Sequence, residues 1–364
     1  MEISYPNILH NYNYFRSKLK PSTKLLVLIK ANAYGHGAVE FARIMEKAGA
    51  DYFAVAHTIE GIELKKAGIA TPVIILSGGT DYYKEAVEYS LEPAMPDIES
   101  LRKFDSLLER SDIKEYPIHI KIDTGMHRLG FMEKEIPALL EFLKTHPRIR
   151  VKSIYTHLAA SDEPKHDEFT LGQLALYRKL ASQIDAVLDY KPIHHALNSA
   201  GIERFTQFQF DMVRLGIGIY GISAVDPALL EPAARLTCKI LQVKELTPED
   251  GTVGYGRHGK LHEGINRIAT LPLGYADGID RHLGRGKACF CVKGQLVPTI
   301  GNICMDQCMI DVTGTDARPG DIVTIFGDKP RAVELARILD TIPYEIFTSV
   351  AHRVKRTVIA PQSF

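Results

Sequence analysis

The chain has 364 residues, 45% hydrophobic and 24% charged. That composition excludes disorder, collagen and low-complexity scaffolds, and the length points to roughly two domains. Lys+Arg and Asp+Glu both number 44, a formal charge of zero, so no overall electrostatic signature for nucleic acid or an anionic membrane is present.

The first segment, MEISYPNILHNYNYFRSKLK, lacks the apolar core of a secretory leader. No run of ~18 apolar residues follows it, so no bilayer span is expected. Short apolar runs then alternate with helical periodicity. The runs are Leu25–Ile29, Tyr52–Ala56, Val73–Leu76, Leu91–Met95, Ile118–Ile122, Val151–Tyr155, Ile193–Leu197 and Phe210–Gly216. Helical spacing falls between them, at Ala38–Lys47, Ile59–Ala67, Pro137–Thr145 and Phe169–Leu188. Strand alternating with helix predicts βα units and a parallel sheet. Eight units in about 215 residues predict an N-terminal (β/α)8 TIM barrel over residues 1–228. The fourth run, LEPAM, is the most polar of the eight. A doubly wound sheet is the alternative, but LLVLIKANAYGHG is not the G-x-G-x-x-G turn which that fold usually carries.

Near residue 225 the pattern changes. Leu236–Val243, Ile265–Leu271, Ala288–Val292, Leu296–Ile300, Cys308–Val312 and Asp321–Phe326 read as strands separated by turn residues. A helix near Ala332–Leu339 and a strand at Val354–Ile359 close the series. Residues 229–364 are therefore expected to form a C-terminal β-domain, making the chain α/β plus all-β. The five cysteines, Cys238, Cys289, Cys291, Cys304 and Cys308, all lie here. Their spacings lack the C-x₂-C knuckles of zinc sites, so buried free thiols are expected and no metal. An odd cysteine count without a leader argues for a reducing compartment, the cytoplasm.

In a TIM barrel the active site lies at the carboxyl ends of the strands. There the sequence collects polar residues: Lys30 and Tyr34 after the first run, Lys121, Asp123 and Arg128 in and after the fifth, Thr156-His157 after the sixth, Asn198-Ser199 after the seventh, and Arg214 in the eighth, which is followed by the open backbone of Gly216, Ile217 and Gly218. A lysine in a dry barrel mouth has a depressed pKa, which suits covalent amine chemistry; taken alone, Lys30 equally fits a lysine snorkelling from a strand end. Barrel phosphate sites are often built after strands 7 and 8, and a hydroxyl with open backbone amides suits a phosphate. A strand-end lysine, a phosphate cup and an interior arginine together point to pyridoxal phosphate. Arg214 otherwise fits a buried ion pair with Asp211 or Glu203, and Tyr255 otherwise reads as a packed aromatic in a Gly-flanked turn.

These residues stand in strings that resemble the alanine racemases, pyridoxal phosphate enzymes of fold type III. The strings are Val27-Leu-Ile-Lys30-Ala-Asn-Ala-Tyr34-Gly-His-Gly37, Lys121-Ile-Asp-Thr-Gly-Met-His-Arg128-Leu-Gly, His157-Leu-Ala, Asn198-Ser199-Ala200 and Val213-Arg214-Leu-Gly-Ile-Gly-Ile-Tyr-Gly221. Val253-Gly-Tyr255-Gly, Gly274-Tyr275-Ala-Asp-Gly278 and Ile303-Cys-Met305-Asp306-Gln complete the order across both domains. The resemblance implies racemisation of alanine, with D-alanine supplied for peptidoglycan. It implies Lys30 as cofactor lysine and base on one face of the substrate, and Tyr255 as the group on the other. Tyr34, Ser199, Gly216 and Ile217 would hold the phosphate, and Arg214 would face the pyridine nitrogen. His157 would link Tyr255 to Arg214. Arg128 and Met305 would bind the substrate carboxylate. Lys121 matches a lysine carbamylated in many relatives, where it orients Arg128. Tyr275 and Arg281 would line the substrate gateway. A homodimer with shared sites is implied, in which Tyr255 serves the neighbouring copy's cofactor.

Three positions depart from the family pattern: His352 where many relatives have Tyr, Asn302 where some have Arg, and His127 where Gly or Asn is common. The first two would loosen the gate, which keeps a broader small-amino-acid racemase, acting on serine among others, as the alternative activity.

Overall fold

The structure, a computed structural model, describes residues 1–359. It divides into two compact units, one of Leu9–Ala33 and Gly37–Glu231, the other of Met1–Ile8, Tyr34–His36 and Pro232 onward.

The first unit is a closed barrel of eight parallel strands. Numbered from β1 (Glu2–Ser4), they are β2 (Lys24–Leu28), β3 (Tyr52–Val55), β4 (Val73–Ile75), β5 (Glu92–Met95), β6 (Tyr116–Lys121), β7 (Ile149–Tyr155), β8 (Ile193–His195) and β9 (Met212–Leu215). They follow one another in chain order, and β2 closes on β9 with Leu25 opposite Val213. All eight expected runs are strands, the polar fourth included, each trimmed or extended by a residue or two. Strands covered on both faces read as near-continuous apolar runs; Leu25, Leu26, Val27, Phe53, Ile74 and Met212 are fully buried. Helix Ala38–Lys47 coincides with the expected element, and Ile98–Arg110 is capped by Asp97, which accepts from the Ser100 amide at 2.7 Å. The structure adds a helix over Tyr5–Ser17, a stretch read from sequence only as the absence of a leader. No helix among the described residues is long and apolar enough to cross a membrane.

The second unit is built on a nine-stranded sheet. Its strands are β10 (Ala234–Lys239), β11 (Gln242–Leu246), β12 (Asn266–Leu271), β13 (Cys289–Val292), β14 (Gln295–Ile300), β15 (Cys308–Asp311), β16 (Ile322–Phe326) and β17 (Thr357–Ile359), together with β1. Their order is β11-β12-β15-β14-β13-β16-β10-β1-β17. The first residues of the chain join this unit because β1 pairs with β10 and β17. The run 236–243, read as one strand, is two. The Ile240 amide bonds Asp321 O and the Leu241 amide bonds Thr270 O, so the backbone changes pairing partners at that point. Cys289 and Cys291 share one half-buried face of β13, opposite buried Phe290 and Val292. Only Cys308 is fully buried; Cys238, Cys289, Cys291 and Cys304 are half-buried, less covered than expected of core thiols. All five cysteines are free thiols.

Candidate active site

Lys30 follows β2 at the barrel mouth. Ala31, Asn32, Ala33 and Tyr34 after it all have φ near +50°. Such left-handed backbone costs about 1–2 kcal/mol per residue, so it needs a frame. Glu60 supplies one: its carboxylate accepts from the Ala31 amide, and from the Ala56 and His57 amides at 2.8 and 3.0 Å. Asn32 Oδ1 accepts from the Ala38 amide at 2.8 Å and anchors the following helix. Burial, then the nearby Arg128 guanidinium, hold the Lys30 amine below its ordinary pKa, with Glu60 opposing. No hydrogen bond of the Lys30 amine is made among the described residues.

Lys121 ends β6. Burial first, then Arg128 and Arg214, pull it down to about 8. Arg128 stands on the loop after β6. The Phe131 amide bonds Lys121 O at 2.8 Å and the Asp123 amide bonds Phe131 O at 2.9 Å, closing the loop. Asp123 accepts from the amides of Gly125 and His127 inside it. Gly130, at φ +122°, makes this return possible, since a Cβ there would lie 2.8 Å from the Asp123 nitrogen. His127 has φ +53°, which accounts for the Gly or Asn expected there.

Arg214 projects from β9 and is buried. Its Nη2 donates to Thr156 O at 2.6 Å, to Ala196 O at 2.9 Å and to His157 Nδ1 at 3.2 Å. Its Nη1 donates to His195 Nδ1 at 3.0 Å. The ion pair with Asp211 or Glu203 does not form: Asp211 accepts from the His194 amide, and Glu203 accepts from Tyr14, Ser223 and the Ala224 amide. Burial lowers the Arg214 guanidinium to about 10, so it remains charged at neutral pH. His157 is held well below its usual range by burial and by Arg214, Arg128, Lys121 and Lys30. It is therefore neutral and acts as a hydrogen-bonding group, not as a second cation. Ser199 opens the short helix Ser199–Arg204, capped by Asn198, and its Oγ accepts from the amides of Gly216 (2.9 Å) and Gly218 (3.2 Å). Ile217 begins the next turn and is buried.

Three residues of this unit escaped the sequence reading. Glu60 is one. His195 is the inward histidine of IHHAL, and strand alternation would have found it. The third is Tyr155, whose ring stacks on His195 at 4.9 Å and whose buried hydroxyl has no partner among the described residues.

The remaining expected residues belong to the second unit. Tyr34 is buried, its ring 5.7 Å from that of Tyr344, and burial raises its phenol above the usual range. Tyr255 is 71% exposed and Met305 is 55% exposed. The Met305 segment is tied down: the Tyr275 and Ala276 amides bond Cys304 O and Met305 O, and Arg353 bridges Asp277 and Asp306. Asn302 is buried; its amide donates to Tyr255 O at 2.7 Å and accepts from Arg285 Nε at 2.7 Å. These two bonds tie Asn302 to the Tyr255 turn and to Arg285. Tyr275 and Arg281 line a cavity of 660 Å³ that also takes in Gly278, Leu283 and Leu335. His352 is exposed and makes no hydrogen bond among the described residues.

A closed βα barrel with a lysine, two arginines and a serine–amide cup at its mouth, followed by a β-rich unit, defines a two-unit barrel protein with a polar site at its strand ends. The family model "Alanine racemase, N-terminal domain" matches residues 3–224 and "Alanine racemase, C-terminal domain" matches residues 233–358. The chain is similar to the alanine racemase of Synechocystis sp., 35% identical over 370 residues that cover 99% of this chain and 98% of that relative. It superposes on the alanine racemase of Bacillus anthracis with bound L-Ala-P at a TM-score of 0.91, with 31% identity over 100% of this chain and 95% of the other. It superposes on that of Bartonella henselae with covalently bound pyridoxal phosphate at 0.89, with 28% identity over 98% of each. The chain belongs to the alanine racemase family.

Proposed function

We propose that this chain interconverts L- and D-alanine with pyridoxal phosphate held by Lys30, using Lys30 and Tyr255 as its two acid–base groups. The observation that carries the reading is the pairing, at one barrel mouth, of a half-buried amine below its ordinary pKa with a buried arginine that has no carboxylate partner. The residues present fit this cofactor. Ser199 and the Gly216–Gly218 backbone suit its phosphate. Arg214 uses both terminal nitrogens on protein acceptors, while Nε makes no hydrogen bond among the described residues and suits the pyridine nitrogen. The buried Tyr155 hydroxyl would also gain a polar partner.

When bound, pyridoxal phosphate would supply an electron sink for the pair left as the substrate Cα loses its proton. The remaining work is done by side chains. Lys30, its amine held below its ordinary pKa by burial and Arg128, removes or returns the Cα proton on one face. Tyr255 of the partner subunit does so on the other. Arg214 donates and cannot accept, so it would keep a pyridine nitrogen facing it unprotonated, which would restrain side reactions. His157 accepts from Arg214 at Nδ1, leaving its Nε2–H to support the Tyr255 oxygen. Arg128 and Met305 position the carboxylate. Lys121, ringed by Arg128, Arg214 and Lys30, favours conversion from cation to anion by adding carbon dioxide with loss of two protons, one from the ammonium and one as the N–C bond forms; the carbamate would orient Arg128. Large exposed side chains at Tyr255 and Met305 favour a homodimer that covers them. The relatives named for alanine favour alanine over the broader small-amino-acid reading.

Chiral chromatography after incubation with L-alanine and pyridoxal phosphate should yield D-alanine, and little D-serine from L-serine. Lys30→Ala should abolish turnover and the visible absorbance of lysine-bound cofactor. Tyr255→Phe should keep that absorbance and lose solvent deuterium exchange from one enantiomer only. Equal exchange from both enantiomers in Tyr255→Phe would falsify the two-base assignment.

A further inference from the structure

Arg214 is a buried cation whose immediate acceptors are carbonyls and neutral histidines. Buried charges are ordinarily paired. Its countercharge lies at the far end of a chain of hydrogen bonds through the barrel interior. Arg214 Nη1 meets His195 Nδ1 at 3.0 Å, and His195 Nε2 meets Ser153 Oγ at 2.9 Å. Ser153 Oγ meets His119 Nδ1 at 2.6 Å, and His119 Nε2 meets Glu92 Oε2 at 2.9 Å. His119 and Ser153 are fully buried and His195 nearly so, while the Glu92 side chain is 13% exposed.

The two ends fix every proton between them. Arginine can only donate, so His195 Nδ1 accepts and its proton sits on Nε2. That proton goes to Ser153. The Ser153 hydroxyl then has one acceptor within reach, His119 Nδ1, which places the His119 proton on Nε2, facing a carboxylate that can only accept. The alternative, a doubly protonated His119, would leave the Ser153 hydroxyl proton buried without an acceptor, at a cost of about 1–3 kcal/mol.

We propose that Glu92, at the amino end of β5, is the remote counter-ion of Arg214, and that His119, Ser153 and His195 transmit its charge along a one-way hydrogen-bond chain. Glu92 is thereby a positioning residue that polarises His195 toward Arg214 and fixes the plane of the guanidinium. The assignment of Arg214 to the pyridine nitrogen rests on the function proposed above; the chain itself does not.

The test therefore begins without cofactor. Nitrogen-15 spectra of the histidine rings in the cofactor-free chain should show His119 and His195 neutral, each with its proton on Nε2. Glu92→Gln keeps an acceptor and the side-chain shape but removes the charge. It should shift the ring signals of His195, which Glu92 does not touch. Ser153→Ala should shift both histidines. A His195 proton on Nδ1, a positively charged His119, or His195 signals indifferent to Glu92→Gln would overturn the proposal. In the loaded enzyme, Glu92→Gln and Ser153→Ala should each lower kcat about tenfold with the KM for alanine unchanged, and the double variant should be no slower than the slower single one, because both cut one chain. Additive losses, or losses confined to KM, would show a merely structural role. A chain that racemises nothing but shows the expected ring signals would sink the functional reading and leave the hydrogen-bond chain standing.

Discussion

Lys121 shows how a single residue converts location into chemistry. Its ammonium sits among Arg128, Arg214 and Lys30, and burial with these charges brings it from 10.5 to about 8. Between those values the unfolded chain binds a proton that the folded chain has released. Stability therefore rises with pH across that window, and the penalty is complete below pH ~8. Lys121→Met removes the penalty. In buffer stripped of carbon dioxide, the variant should resist urea better than the parent at pH 7, and the gap should close as pH rises from about 8 to 10.5. Added bicarbonate should narrow the gap at pH 8, because the carbamate exchanges a repelled cation for an attracted anion. A gap that ignores both pH and bicarbonate would mean that Lys121 is not charged in this setting. Asn302 makes a second residue-scale point. It was read as loosening a gate, and its amide spans Arg285 and the Tyr255 carbonyl. Asn302→Ala should release the Tyr255 turn and lower kcat more than it raises the KM for alanine.

At the scale of elements, the phosphate cup depends on a close approach. Gly218 leaves no room for a side chain, since a Cβ there would lie 2.3 Å from the Phe15 ring. Gly218→Ala should push the 217–220 turn away from Ser199, weaken pyridoxal phosphate binding in an absorbance titration, and destabilise the chain by about 1–3 kcal/mol. Unchanged cofactor affinity would place the phosphate elsewhere. What could be read from sequence at this scale follows from physics. Eight buried parallel strands must be apolar along most of their length, so LLVLI, YFAVA and VIIL declare themselves, and polar side chains at their carboxyl ends stand out against them. The polar interior was less legible. Glu92, His119, Ser153 and His195 sit on four different strands, and only the barrel's closure brings them together; no sequence window holds two of them. Glu92 also lay in the weakest strand, where a carboxylate reads as a solvated end. The helix Tyr5–Ser17 was hidden by its own polar residue: Asn11, on the buried face, donates to the Ile219 and Glu231 carbonyls, and nothing local announces those acceptors. The break at residues 240–241 was invisible because a β-rich run says nothing about when its partner changes.

At the scale of the whole molecule, the open matter is which copy supplies the second acid–base group. Tyr255 and Lys30 belong to different units of the chain, and the proposed homodimer has Tyr255 of the partner subunit serve each Lys30. This arrangement has a consequence that no arrangement within a single chain shares. Lys30→Ala and Tyr255→Ala each inactivate both sites of their own homodimers. When the two variants are unfolded together and refolded at equal concentration, random reassortment makes about half the dimers mixed. A mixed dimer then holds one site with both groups intact and one with both missing. Activity should return to about a quarter of that of the parent protein, half the dimers each with one of two sites working. It should fall on dilution below the dimer's dissociation constant and recover on concentration. If Tyr255 served its own chain, every site in the mixture would lack one group, and no activity would return at any concentration.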